Sequence, residues 1–204
     1  CIVPQLPALQ IQSSSLEGQT FVYQGQGPYQ LSLLGKHQAV NAIMALETIQ
    51  CLRRQGVHIP PAAIQAGLAN VQWPARLEIL HRQPLFVLDG GHNLQCIQTV
   101  VQTLDTLTPN GSFVCLFGVM GDKDYSAMLQ TLTPYVSHFV GVQPNNSRAL
   151  PLDALGQAFA QTHRPYTLCA SIPQGVKTAL CLAQTNGVPV CALGSLYMAG
   201  EIRG

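Results

Sequence analysis

The chain has 204 residues, enough for one good-sized domain, or one domain and part of another, around a substantial core. Ten lysines and arginines stand against nine aspartates and glutamates, a formal net charge of +1 spread without basic or acidic blocks, which excludes a surface that tracks nucleic-acid phosphates. The longest uncharged apolar runs, 113–119 and 188–193, fall far short of the roughly 20 residues that span a bilayer, so a soluble protein with no membrane partner is expected.

Cys1-Ile2-Val3-Pro4 has no basic n-region or apolar h-region, so it is not a signal peptide, and sequence is expected upstream of it. The seven cysteines, Cys1, Cys51, Cys96, Cys115, Cys169, Cys181 and Cys191, include no C-x-x-C pair, and most lie in apolar runs. They are expected to be reduced, buried thiols of a cytosolic protein, neither a zinc cage nor a disulfide framework.

In chain order, the alternation of Thr20-Phe21-Val22-Tyr23 and Tyr29-Gln30-Leu31-Ser32-Leu33 around Gly25-Gln26-Gly27-Pro28 predicts a β-hairpin over about 19–34. Apolar residues at three- and four-residue steps predict a helix over 36–55, stopped by Gly56. Pro60-Pro61 opens a shorter helix over 62–69, and Trp73-Pro74 marks a domain boundary. Beyond it, strands expected at 85–88, 113–117, 139–142, 167–170 and 188–193 alternate with helices at 96–107, 125–132, 152–161, 174–185 and from 196 onward. That rotation predicts an α/β fold, a parallel sheet with helices on both faces.

Such sheets hold ligands beyond the carboxyl ends of their strands. Three loops fall there: 89–93, 118–124 and 194–197. Neither a G-x-x-x-x-G-K-[ST] phosphate loop nor a G-x-G-x-x-G fingerprint is present, which disfavours a self-contained kinase, ATPase or dinucleotide dehydrogenase.

Four segments in order carry a specific resemblance: Leu34-Gly35-Lys36-His37-Gln38-Ala39-Val40-Asn41, Trp73-Pro74-Ala75-Arg76-Leu77-Glu78, Leu88-Asp89-Gly90-Gly91-His92-Asn93 and Gly194-Ser195-Leu196-Tyr197. Together the chain from about 34 to 203 resembles folylpolyglutamate synthase and its bifunctional dihydrofolate synthase relatives, members of the Mur ligase family. The resemblance implies that 1–73 is the tail of a central ATPase domain whose phosphate loop lies upstream. It implies that 74–204 is the Rossmann-like C-terminal domain. ATP binding is implied for Asn41 (adenine), Arg76 (ribose and phosphates) and Asp89 (ribose), side chains whose amide, guanidinium and carboxylate suit those groups. The three are expected to converge on one nucleoside. Contact with the incoming glutamate is implied for His92 and Ser195, and the Mg2+ ligands are implied to lie mostly upstream.

Each role competes with a structural one. Asp89 and Arg76 could pair with each other, Asn41 could satisfy a turn, His92 could bond a carbonyl, and Ser195 could act as a helix N-cap. His37 and the aspartates of Asp122-Lys123-Asp124 are expected to pack or cap. Two departures from the family pattern bear on geometry. Ala75 stands for a glycine, which is harmless only at negative φ, and Leu94 stands for a proline that would stiffen the next helix entry. The activity implied is ATP-dependent addition of L-glutamate to a folate through an acyl phosphate, with this part alone inactive. The alternatives are another Mur-type amino-acid ligase or a non-catalytic nucleotide-binding module.

Overall fold

A computed structural model describes residues 4–108 and 111–204. The chain divides into two compact units, Cys1–Pro74 and Ala75–Gly204.

In the first unit, β1 (Leu9–Ser15), β2 (Gly18–Tyr23) and β3 (Gln26–Leu31) form an antiparallel sheet in that order. The hairpin expected around 19–34 is β2 and β3, turning at Gln24 (φ +51°) and Gly25 (φ +71°). Strand β1 went unforeseen because Gln10 through Ser15 are all exposed, so backbone pairing to β2 holds it and no apolar alternation announces it. Helix α1 (Lys36–Arg54) turns Ala39, Ala42, Ile43 and Leu46 onto Phe21, Tyr23, Tyr29 and Leu31, with Ile64 of α2 (Pro61–Ala69) closing this core. The buried Gln19 amide donates to the Leu33 and Gly35 carbonyls (2.8 and 2.9 Å), fixing the entry to α1.

The second unit runs β4 (Glu78–Arg82), β5 (Leu85–Leu88), α3 (Leu94–Leu107), β6 (Phe113–Phe117), α4 (Tyr125–Leu132), β7 (Val136–Gly141), α5 (Leu152–Ala160), β8 (Tyr166–Leu168), α6 (Ile172–Asn186), β9 (Val190–Leu193) and α7 (Leu196–Arg203). Its sheet has the order β4-β5-β9-β6-β7-β8, parallel throughout except for β4. The α/β expectation therefore holds, with an antiparallel edge added. The central strands β5, β6 and β9 are almost wholly buried, as a parallel sheet covered on both faces requires. Edge strand β4 was missed because three of its five residues are exposed, leaving no apolar run.

Leu88, Leu116, Val140 and Ala192 pack one face of the sheet with Ala179 and Ala183 of α6 and Met198 of α7. Across the sheet Phe159 of α5 stacks on Phe139 (4.9 Å between ring centroids) and meets Phe117 edge-on. Six free cysteines are described: Cys115, Cys169 and Cys191 are buried, Cys51 and Cys96 half-buried, and Cys181 exposed. The thiols are thus less uniformly buried than expected, because Cys51 and Cys181 ride outward on helices. Cys1 lies outside the described residues. Among the described residues, no helix is long and apolar enough to cross a membrane.

Candidate functional site

In the second unit, backbone hydrogen bonds stitch together the loops leaving the carboxyl ends of β5, β9 and β6. Asp89 N–H donates to the Ala192 carbonyl (3.0 Å), Gly194 N–H to Gly91 (2.9 Å), and Gly118 N–H to Leu193 (3.3 Å). Gly194 has φ +111°, and a Cβ there would lie 2.6 Å from the Gly118 carbonyl oxygen, so only glycine permits this approach.

Asp89 anchors the site. It is 5% exposed, and its two carboxylate oxygens accept the N–H groups of Leu77 (2.9 Å) and Gly91 (2.7 Å). Burial raises its pKa, and those two amides together with the charges of Arg76 and His92 oppose the rise. A carboxylate has about four lone-pair sites, so acceptor capacity is left after both backbone bonds.

Arg76 precedes Asp89 by one strand pair and lies over Gly90. A Cβ on Gly90 would sit 3.3 Å from Arg76 Nη1 and would overlap the Leu196 side chain. The turn carrying Arg76 is strained on both sides, with Ala75 at φ +54° and Leu77 at φ +46°. The alanine at position 75 therefore occupies the left-handed conformation that the family's glycine would take freely, and its departure from the pattern is not harmless. Leu94 opens α3 where the pattern has proline, and Asn93 caps the helix by accepting Cys96 N–H (2.9 Å).

His92 is half-buried, and its Nδ1 lies 2.9 Å from the Gly90 carbonyl oxygen. A carbonyl only accepts, so Nδ1 carries a proton in this contact, which fixes the ring's orientation. Ser195 is 2% exposed and caps α7, its Oγ accepting from Tyr197 N–H (3.1 Å) and Met198 N–H (3.5 Å). Asp124 likewise caps α4, accepting Ala127 N–H (3.1 Å), while Asp122 faces Lys123 (3.6 Å) and Arg148 (3.8 Å) in exposed ion pairs.

Arg76, Asp89, His92 and Ser195 therefore share one strand-end platform in the second unit. Asn41 belongs to the first unit, exposed on α1, where its Nδ2 donates to Gln38 Oε1 (3.1 Å). It sits on the rim of a groove of about 380 Å³ lined by Leu31, Ala42, Ala45, Ile64 and Leu68. Sequence reasoning assigned no role to Glu78. Its carboxylate accepts Ala75 N–H (2.9 Å) three residues back, a spacing that the W-P-A-R-L-E segment displays. Among the described residues no group of three or more His, Cys, Asp or Glu side chains is placed to hold a metal ion.

The model of the Mur ligase glutamate ligase domain matches residues 75–196, and the chain belongs to this family. Its relatives within the family are more particular. It is 33% identical to a folylpolyglutamate synthase of Lacticaseibacillus casei over 91% of this chain and 43% of that protein. With a dihydrofolate synthase/folylpolyglutamate synthase of Mycobacterium tuberculosis it shares 32% identity, over 72% of this chain and 32% of that protein. The structure of Mycobacterium tuberculosis folylpolyglutamate synthase complexed with ADP and AMPPCP superposes with a TM-score of 0.81 at 27% identity, covering 96% of this chain and 47% of that one. The chain thus spans about half the length, or less, of the proteins it matches.

Proposed function

We propose that this chain is the C-terminal part of an ATP-dependent ligase that joins L-glutamate to a folate through an acyl phosphate. The observation that carries the proposal is the convergence of Arg76, Asp89 and His92 on one strand-end platform within a domain matched by the glutamate ligase model. Nucleotide-bound relatives of similar fold support ATP as the phosphoryl donor. In this account the first unit is the end of the central ATPase domain. The partner it requires is the upstream remainder, carrying the phosphate loop and most ligands for Mg2+, which neutralises the transferring phosphoryl group when bound.

Each side chain then has a defined task. Asn41 offers an amide to the adenine edge, with the apolar groove beside it able to cover the ring. Arg76 approaches ribose and phosphate as a guanidinium fork, and the spare lone pairs of Asp89 accept ribose hydroxyls. His92, its ring oriented by the Nδ1 bond to Gly90, offers its other ring nitrogen to the incoming glutamate. Ser195 acts foremost as the cap of α7, which fixes the positive end of that helix's dipole at the strand ends, where it favours a glutamate carboxylate. The site of action is the cytoplasm.

The uncovered face of the first unit fits a missing partner segment. Among the described residues up to Leu34, only Leu6 and Ile11 are large, apolar and exposed. Met44, Leu52, Val57 and Trp73 are exposed further along, because β1 presents polar side chains while α1 and the turns around α2 present apolar ones.

The test is to assay the complete reading frame and the 204-residue chain side by side for ADP release with MgATP, L-glutamate and, in turn, tetrahydrofolate, dihydropteroate and muramoyl acceptors. Glutamate- and folate-dependent ADP release by the complete protein, and none by the chain alone, is expected. Turnover by the chain alone, or turnover only with muramoyl acceptors, contradicts the proposal.

A further inference from the structure

The two strained residues that flank Arg76 are each tied by a different carboxylate. Leu77 N–H donates to Asp89 Oδ2 (2.9 Å), and Ala75 N–H donates to Glu78 Oε2 (2.9 Å). The Ala75 carbonyl is held in turn by Gly90 N–H (2.9 Å) and by Arg76 Nη1 (3.1 Å). Positive-φ conformations of residues other than glycine persist only where their surroundings over-determine them, and this turn has a clamp at each end. The Glu78 clamp is itself braced. Arg203, in the last turn of α7, places Nε 3.2 Å from both Glu78 carboxylate oxygens. The same helix begins at Ser195 and places Leu196 beside Gly90, where the Arg76 guanidinium lies.

We propose that Glu78, braced by Arg203, is a positioning residue: it holds the 75–77 turn so that the Arg76 guanidinium stays over Gly90 and faces bound ligand. This rests on the nucleotide role given to Arg76 above. An exposed ion pair of this kind adds little to stability, so a purely structural account of Glu78 leaves its link to Arg76 idle. The positioning account gives that link a measurable consequence, because the effect of Glu78 on ligand must pass through Arg76.

The experiment titrates MgATP into the 15N-labelled chain and its variants Arg76→Ala, Glu78→Ala, Glu78→Gln and the double variant Arg76→Ala/Glu78→Ala. Arg76→Ala and Glu78→Ala are each expected to weaken binding about 10-fold, as loss of one charge-assisted contact does. Glu78→Gln should lose no more than about 3-fold, because its amide oxygen still accepts Ala75 N–H. In the Arg76→Ala background, Glu78→Ala should have no further effect, the signature of an action routed through Arg76. Equal losses from Glu78→Ala in both backgrounds, or no loss where Arg76→Ala is weakened, overturn the positioning role alone. If Arg76→Ala itself binds as the unsubstituted chain does, or if the unsubstituted chain binds no MgATP, the nucleotide role falls and takes this inference with it. A ligand-free measurement stands beside the titration. Hydrogen exchange at the Ala75 amide should accelerate about 10-fold or more in Glu78→Ala while amides in β6 keep their protection, and unchanged exchange at Ala75 refutes the clamp.

Discussion

Replacing Gly194 with alanine places a methyl carbon 2.6 Å from the Gly118 carbonyl oxygen and 3.1 Å from the Phe117 ring, on a backbone held at φ +111°. The strain of that conformation costs about 1–3 kcal/mol. The clash adds about 1–3 kcal/mol, because its closest partner is backbone at the end of β6 and no flexible side-chain tip can swing aside. The sum, roughly 2–6 kcal/mol, is a large part of the 5–15 kcal/mol that holds a domain together. At roughly 2–4 °C per kcal/mol, the unfolding transition of the second unit should fall by at least about 4 °C. Circular dichroism and calorimetry read this directly. Because Gly194 N–H also joins the Ser195 loop to Gly91, the variant should also expose the Gly194 amide to faster exchange. A midpoint within about 2 °C of the unsubstituted chain would refute the claim that these loops are packed backbone to backbone.

Ala75→Gly relieves about 1–2 kcal/mol of left-handed strain but gives up a buried methyl worth about 0.8 kcal/mol, so urea unfolding should show a gain of up to about 1 kcal/mol; a loss greater than that contradicts the assigned backbone. Burial raises the Asp89 pKa, so its folded state holds the proton more tightly than the unfolded chain does. Its stabilising contribution is therefore complete below about pH 4 and is lost as pH rises through the folded value. The stability difference between the unsubstituted chain and Asp89→Asn should accordingly decline from about pH 4 toward neutrality, and a difference that is flat or rising with pH refutes the burial argument. Ser195→Ala removes the acceptor for two amides of α7 and should cost about 1 kcal/mol in denaturant titrations, whereas no loss would show that the cap is idle.

The parallel sheet was legible because β5, β6 and β9 are buried on both faces and therefore written as apolar runs between amphipathic helices. Strands β1 and β4 were not legible, since each is an exposed strand held through backbone pairing to one neighbour and needs no distinctive side chains. At the site, the resemblance carried by four ordered segments singled out Arg76, Asp89, His92 and Ser195, which the fold places on one platform. The conformation of the turn between them was not legible. Nothing in the letters of Trp73 to Glu78 shows that Ala75 and Leu77 both have positive φ: the Glu78 bond to Ala75 N–H is local, but the Leu77 amide is held by Asp89 from twelve residues away. The cap at Asn93, by contrast, follows from asparagine just ahead of a helix.

The central proposal is that Arg76 and Asp89 address one nucleotide. Amide chemical shifts of the 15N-labelled chain titrated with MgATP test it most directly. The account predicts that the amides of Leu77, Gly90 and Gly91 shift together along one binding curve. No shift at these amides, or curves of different affinity among them, would contradict it.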